Sequence, residues 1–143
     1  MPYRYLEDVA TADAAFEAWG TSLEETFRAA ADAAMNVMVD DLGSIAARER
    51  RTLRVEAESP EMLLFELLQE LVFRKDAERL LLRVKAVKID EGHGGWSLAA
   101  ETLGETIDPG RHDLAVDVKA VTLHRFGLIR EESGWRATVV LDV

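Results

Sequence analysis

The chain has 143 residues, a length that suits one domain with its own hydrophobic core. It contains no cysteine, which excludes a disulfide scaffold, a cysteine-ligated zinc site and a thiol nucleophile. With 17 basic against 27 acidic residues the net charge is −10, so direct binding to nucleic acid is not expected, and a cation or a basic protein partner is favoured. We find neither a signal peptide nor an apolar run that could span a membrane, and we expect a cytoplasmic protein without membrane association.

The first part of the chain predicts two short strands and a helix. Residues 3–6 and residues 14–19 have the pattern of strands, and a glycine ends the second of them. Thr21 and Glu24 match a capping box, so a helix is predicted to begin there. Its apolar stripe ends near Met38.

A strand and a strongly apolar helix follow. Residues 50–58 alternate between apolar and polar side chains, which predicts a half-exposed strand. Ser59 and Pro60 have the sequence of a helix start, and the helix is predicted to run to about Arg74. Because residues 62–72 are apolar on nearly all sides, this helix is either buried on most faces or offers one apolar face to a partner.

The second half of the chain predicts only strands. They cover residues 80–89, 96–106, 114–129 and 135–143. A shift in the alternation indicates a β-bulge near Lys85, and the glycine-rich residues 92–95 predict a hairpin turn. The resulting order, ββαβαββββ, predicts an α+β, two-layer single domain over residues 1–143, with two helices packed on a mostly antiparallel mixed sheet.

Sequence motifs for nucleophilic catalysis and for phosphate-binding loops are absent. The three histidines are His93, His112 and His124. We expect each at the surface or in a strand rather than as a catalytic base, because the sequence identifies no partner that would orient its ring. A zinc site is correspondingly not expected.

Two groups of acidic residues remain as candidates. Glu66 and Glu70 lie four residues apart on the second helix, and their spacing favours a solvent-exposed stripe with a Glu70–Arg74 ion pair over a functional acid. Asp142 and the terminal carboxylate of Val143 follow an apolar strand that would hold them in place. Hard oxygen ligands suit calcium, magnesium or manganese, but the spacing supplies no third ligand.

Several short segments, in their order and spacing, match a family of proteins. They are Tyr5-Leu6-Glu7, Thr11-Ala12-Asp13, residues 18–25, Leu63-Leu64-Phe65 with Glu70-Leu71, residues 118–122, and the terminal Asp142-Val143. On these segments the chain resembles, nearly end to end, the archease family of small activators of RtcB-type RNA ligases.

This sequence departs from the family pattern near its start. The family has a histidine followed by Thr-Ala-Asp, and Thr11, Ala12 and Asp13 match the last three positions. Ala10 stands where the histidine is expected, and two residues around positions 8 and 9 are additional. The departure removes the histidine and leaves the aspartate in place.

The resemblance implies a divalent metal site. In the family this aspartate acts with the penultimate aspartate and the last residue, so the implied ligands here are Asp13, Asp142 and Val143, with calcium, magnesium or manganese as the ion. The resemblance thereby supplies the third ligand. It also implies functional roles for Lys119, in the family's Val-Lys-Ala segment, and for Glu70.

The function implied by the resemblance is that of a protein cofactor. Such a protein promotes the GTP-dependent guanylylation of an RtcB-type RNA ligase in tRNA splicing and RNA repair, and allows the ligase multiple turnovers. One alternative is a metal-dependent hydrolase built on Asp13 and Asp142, for which no base is visible. Another is an interaction or chaperone-like module that modulates tRNA-processing enzymes through the apolar helix. The oligomeric state stays open.

Overall fold

The computed structural model describes residues 2–7 and 13–143. The main elements are β1 (Tyr3–Leu6), β2 (Asp13–Gly20), α1 (Leu23–Met38), β3 (Glu49–Ala57), α2 (Pro60–Glu78), β4 (Leu80–Gly92), β5 (Gly95–Thr106), β6 (Ala120–Glu131) and β7 (Gly134–Asp142). This order is the predicted ββαβαββββ, and a single 3-10 turn at Leu42–Ser44 is added after α1.

The strands form two antiparallel sheets. The first has the order β1-β2-β7-β6 and the second the order β3-β5-β4. The predicted α+β class, with two helices packed on antiparallel strands, is confirmed, and the strands divide between two sheets. In the first sheet β2 pairs with β7, so the beginning and the end of the chain become neighbours.

Both helices contact both sheets. Helix α1 packs against β1, β2 and β7 of the first sheet and against β4 of the second, whereas α2 packs against β3, β4 and β5 of the second sheet and β6 of the first. One hydrophobic cluster fills the space between them, and its fully buried members include Phe16, Phe27, Met35, Leu67 and Leu81. Burial of this apolar surface is the main favourable contribution to the stability of the fold.

Helix α1 begins one residue later than the capping box predicted. Ser22 is the N-cap, and its hydroxyl oxygen accepts a hydrogen bond from the N–H of Glu25 at 3.1 Å. The Glu25 carboxylate accepts from the N–H and the hydroxyl group of Thr21, at 2.8 and 2.6 Å. The sequence Thr-Ser-Leu-Glu-Glu allows both registers, and the structure uses the second.

Helix α2 begins as predicted, with Ser59 as N-cap and Pro60 in the first turn, but it extends to Glu78 instead of ending near Arg74. Its buried positions are Leu63, Leu64, Leu67, Leu68, Leu71, Val72 and Lys75. The helix is therefore buried on most of its surface, as one of the two interpretations predicted. In the part of the chain that the structure describes, no helix combines the length and apolarity needed to cross a membrane.

The predicted bulge and hairpin of the second sheet are confirmed. The register between β4 and β5 shifts between Val84 and Ala86. Gly92 pairs with Gly95, and the two residues between them, His93 and Gly94, both have positive φ values, 53° and 79°. Positive φ at both central residues is the conformation of a type I′ turn.

The prediction of one long strand over residues 114–129 is wrong. Residues 115–119 are irregular, and β6 begins at Ala120. Pairing between β6 and β7 is then interrupted between Thr122 and Gly127. Apolar alternation alone predicted a strand here, but the N–H groups at the start of this segment bond to helix α1 instead of to a neighbouring strand.

Candidate functional site

The pairing of β2 with β7 brings two of the predicted site residues together. Asp13 begins β2, Asp142 ends β7, and the two are direct partners in the antiparallel register. Directly opposed residues lie on the same face of a sheet with their Cβ atoms about 5 Å apart. Both aspartates are half-buried. Together with the adjacent Val143 they form what we call the carboxylate corner (Asp13, Asp142 and Val143).

Two further contacts fix the corner. Val143 is half-buried and packs against the hydrophobic core, which anchors the chain terminus. On the other side of β7, the main-chain N–H of Lys119 donates to the carbonyl oxygen of Asp142 at 2.8 Å, and Ala120 is paired with Asp142 in the sheet. The Lys119 side chain is exposed. The structure thus brings together Asp13, Asp142, Val143 and Lys119.

The charges of the corner are not compensated within residues 2–7 and 13–143. Neither aspartate, nor Lys119, nor the terminal carboxylate forms an ion pair there. Like charges that face each other across two strands destabilise the pair. The same residues include no group of three or more His, Cys, Asp or Glu side chains suited to a metal ion. A hard divalent cation prefers oxygen ligands, and the side chains of this corner that carry carboxylate oxygens are those of Asp13 and Asp142.

Glu70 lies near Lys119 but outside the corner. It lies on α2 and accepts a hydrogen bond from Arg74 at 3.0 Å, the ion pair that the spacing predicted. Glu66, Glu70 and Lys119 all line one shallow groove of about 360 Å³ between α2 and the start of β6. The aspartates of the corner do not line this groove. Glu70 thus shares a surface with Lys119 without joining the two opposed carboxylates.

The family's histidine position, occupied by Ala10 here, lies outside the described residues, as do Thr11 and Ala12. The described part of the chain resumes at Asp13, the residue that faces Asp142.

A buried pair that the sequence did not predict joins β5 of the second sheet to the loop that follows it. His112 is 2% exposed and Glu105 is 3% exposed. The N–H of Asp108 donates to His112 Nδ1 at 2.9 Å, so His112 Nε2 carries the proton and donates to Glu105 Oε2 at 2.8 Å. The expectation of a surface or strand position for His112 is wrong, because its partner Glu105 is on another element and no local pattern links the two.

Glu105 also receives hydrogen bonds from other segments. The N–H of Ala46 donates to its carboxylate at 2.7 Å, and Arg111 forms an ion pair with it. Hydrogen bonds from Arg111, Ala46 and His112 hold the pKa of Glu105 far below its ordinary value. The cluster ties the segment after β5 to the segment before β3, which is a structural role.

A larger cavity lies at the other end of the first sheet. Its volume is about 520 Å³, and Trp19 and Trp135 line it. It lies beside the pair of Gly20 and Trp135, seven residues along the strands from the carboxylate corner, or about 23 Å. Of the residues predicted as functional from the sequence, none lines this cavity.

Comparison with known proteins gives one consistent result. A model of the Archease protein family (MTH1598/TM1083) matches residues 3–143. The chain is 37% identical to the protein archease of Pyrococcus abyssi, over 93% of this chain and 94% of that protein. It is 41% identical to the protein archease of Methanothermobacter thermautotrophicus, over 93% of this chain and 94% of that protein.

Two solved structures are similar. The solution structure of protein 1598 of Methanobacterium thermoautotrophicum has a TM-score of 0.86 and 38% identity, and the match covers 99% of both chains. The crystal structure of an archease from Thermotoga maritima, described as a possible chaperone, has a TM-score of 0.57 and 18% identity, covering 96% of this chain and 97% of that one. The second likeness is one of fold alone.

Proposed function

The chain belongs to the archease family, and we propose that it is an accessory protein that activates an RtcB-type RNA ligase. In this role it promotes the GTP-dependent guanylylation of the ligase and its multiple turnover in tRNA splicing and RNA repair. The observation that carries the proposal is the register that places Asp13 opposite Asp142, next to Lys119. It brings together Asp13, Asp142 and Lys119, which the resemblance implies for this function, whereas Glu70 lies outside the corner.

The carboxylate corner is the part of the protein that acts on the ligase in this proposal. Oxygens of Asp13, Asp142 and the terminal carboxylate of Val143 would hold a calcium, magnesium or manganese ion. Such an ion, when bound, supplies positive charge to the phosphate oxygens of a nucleotide or RNA end. Lys119 has an exposed side chain next to the corner. Its ammonium group binds a phosphate or a carboxylate of the ligase site.

The charge of the chain supports docking on a ligase. The net charge is −10, whereas a protein that binds RNA presents a basic surface to the phosphates. Opposite potentials steer two proteins together and select the orientation in which they meet. We therefore expect the rate of association with the ligase to fall as the salt concentration rises.

The alternative of a metal-dependent hydrolase lacks support for its general base. His112 has both ring nitrogens engaged, one by the Asp108 N–H and one by Glu105. His93 lies in the β4–β5 turn and is exposed. A hydrolase would turn over a phosphoester without a partner protein, so incubating this protein alone with a chromogenic phosphodiester separates the two functions.

The alternative of a chaperone-like module needs a binding face on the apolar helix. Most of that face is buried in the core, since Leu63, Leu67 and Leu71 are at most 1% exposed. The helix therefore uses most of its apolar side to stabilise the fold, although its Phe73 is 57% exposed.

The direct test is a turnover assay. Purified protein is mixed with the RtcB-type ligase of the same source, GTP, manganese and an RNA with ligatable ends, and ligation events per ligase molecule are counted. Many turnovers by sub-stoichiometric ligase, only in the presence of this protein, support the proposal. Turnover that stays unchanged on adding the protein would contradict it.

A matched pair of variants connects the assay to the corner. Asp142→Asn removes one of the two opposed charges and keeps the size of the side chain. Asp90→Asn makes the same chemical change at an exposed position of β4. Activation should be lost in the first variant and retained in the second.

A further inference from the structure

Lys75 of α2 has an almost completely buried side chain, 6% exposed. Its Nζ donates to Asp117 Oδ1 at 2.6 Å and to the carbonyl oxygen of Val118 at 2.7 Å, and lies 2.7 Å from Asp76 Oδ1. Burial alone would lower the pKa of Lys75, but the hydrogen bonds and charges of Asp117 and Asp76 outweigh it and raise the pKa. The ammonium group is therefore charged at neutral pH and is fully coordinated.

The residues that Lys75 holds belong to an irregular segment, residues 113–119, which we call the strap. At its start, the N–H of Ala115 donates to the carbonyl oxygen of Met38 at the end of α1, at 2.9 Å. At its end, the N–H of Lys119 donates to the carbonyl oxygen of Asp142, at 2.8 Å. The strap thus leads directly into the carboxylate corner.

Lys75 holds the strap between these two ends. It contacts Asp117 by its side chain and Val118 by its main chain. The Val118 side chain next to this contact is completely buried. A displacement of Val118 would move the following residue, Lys119, away from its partner in β7.

The start of β6 needs such support because the sheet holds it weakly. β6 is an edge strand of the first sheet, and at this end only residues 120–122 pair with β7 before the register is interrupted. A second α2 side chain supports the open edge, since the Val121 N–H donates to Gln69 Oε1 at 3.0 Å. Helix α2 therefore fixes the chain on both sides of Lys119, at Val118 before it and at Val121 of β6 after it.

We propose that Lys75 is the positioning residue of the carboxylate corner, and that its ties to Asp117 and Val118, supported by Gln69, hold Lys119 and Asp142 in place for divalent-ion binding and ligase activation. The inference rests on the proposed function for its last clause. Lys75 itself touches neither the opposed aspartates nor an RNA. It acts through the strap, and its removal leaves the carbonyl oxygen of Val118 without this donor and two neighbouring carboxylates without their shared cation.

The variant Lys75→Met tests the inference because it keeps the unbranched stem and removes the charge and the donors. Two measurements are made without any ligase. Amide hydrogen exchange followed by NMR reports the Lys119–Asp142 hydrogen bond, and Mn²⁺ titration reports the affinity of the corner. We expect faster exchange at the Lys119 amide and Mn²⁺ binding weakened by about tenfold or more, as is typical when an outer partner of a metal site is lost.

Controls separate positioning from general stability. Arg83→Met removes another helix–strand ion pair, to Asp32 on α1 at 3.1 Å, away from the strap. This variant should lower Tm without changing the exchange of the Lys119 amide or the affinity for Mn²⁺. Lys75→Arg keeps the charge and should retain most of the slow exchange at the Lys119 amide and most of the affinity for Mn²⁺. If Lys75→Met does not fold, Gln69→Leu is used instead. It should also speed exchange at the Lys119 amide and weaken Mn²⁺ binding, but to a smaller extent.

The outcomes distinguish this inference from the proposed function. If Lys75→Met and Arg83→Met change the exchange of the Lys119 amide and the affinity for Mn²⁺ equally, the role of Lys75 is merely structural. That result would overturn the inference. Slow exchange at Lys119 in Lys75→Met would overturn it too, whatever the ligase assay gives. If the unaltered protein activates no ligase, the proposed function fails, and the exchange measurement still decides the role of Lys75. Faster exchange with unchanged activation would disprove its functional part alone.

Discussion

Asp13 and Asp142 are directly opposed across the β2–β7 pair, although nearly the whole chain separates them in the sequence. Within the described residues neither carboxylate has a cationic partner. Two ionised groups in this arrangement repel each other, at a cost of a few tenths of a kcal/mol or more. In the proposed metal site, a bound cation would reduce this repulsion by interacting with both side chains at once.

Neutralising either aspartate should abolish the function while preserving the fold. We expect Asp142→Asn and Asp13→Asn each to reduce ligase turnovers by more than about tenfold, since each removes an oxygen donor with its charge. In the presence of a chelator, Tm should stay equal or rise slightly, because the like-charge repulsion is removed. Ligation assays and thermal unfolding check the two parts. A folded Asp142→Asn protein with full activity would remove the corner from the mechanism.

Divalent cations should stabilise the protein through the corner. A ligand at a hundred times its Kd stabilises the folded state by about 2.7 kcal/mol, which corresponds to roughly 5–10 °C in Tm for a domain of this size. We expect calorimetry to show this rise with Mn²⁺ or Ca²⁺ and its reversal with EDTA. Asp142→Asn should show no rise. Identical Tm values with EDTA and with saturating ions would disprove a metal site at the corner.

Lys119→Ala should reduce activation without affecting stability. The Lys119 side chain is exposed, and the hydrogen bond that holds the residue is made by its main-chain N–H, which alanine retains. Tm should change by less than about 2 °C, as is usual for an exposed position. Lys88→Ala, at an exposed position of β4, is the matched control and should keep full activity. Equal turnover by both variants would assign Lys119 no functional role.

Glu105 should make the stability of the fold depend on acid pH. Its pKa is held far below the ordinary value of 4.5 by hydrogen bonds from Arg111, Ala46 and His112. A carboxyl group with a lowered pKa stabilises the folded state above its unfolded pKa, and this stabilisation is lost as the pH falls towards the folded pKa. The protein should therefore lose stability progressively below about pH 4.5.

The variant Glu105→Gln isolates this contribution. At pH 7 its Tm should be lower than that of the unaltered protein, and the difference should shrink as the pH falls below 4, because only the unaltered protein then loses the charge. Glu101→Gln, at an exposed position of the same strand, should leave Tm unchanged at both pH values. A constant difference between Glu105→Gln and the unaltered protein over this pH range would contradict the assignment.

Local patterns in the sequence predicted the elements whose hydrogen bonds are local. Ser59 and Pro60 marked the start of α2, and the glycine-rich residues 92–95 marked a turn, because helix caps and two-residue hairpins depend on neighbouring residues. Residues 114–119 of the strap were predicted as part of a strand. Their apolar alternation is the same whether the segment pairs with a neighbouring strand or bonds to other elements. Its N–H groups find their acceptors on α1 and β7, which lie far away in the sequence.

For the candidate site, the sequence by itself identified candidate residues and the acidic character of the chain. It supplied Asp13, Asp142, Val143 and Lys119 through the resemblance to archease, and an acidic chain without cysteine through its composition. Only the tertiary structure decided which of these residues meet. Pairing of the second strand with the last one is a contact between distant segments, and neither propensity nor periodicity specifies it. The same holds for Lys75, His112 and Glu105. Whether a buried polar or charged group stabilises the fold depends on the partners that the fold brings next to it from other parts of the chain.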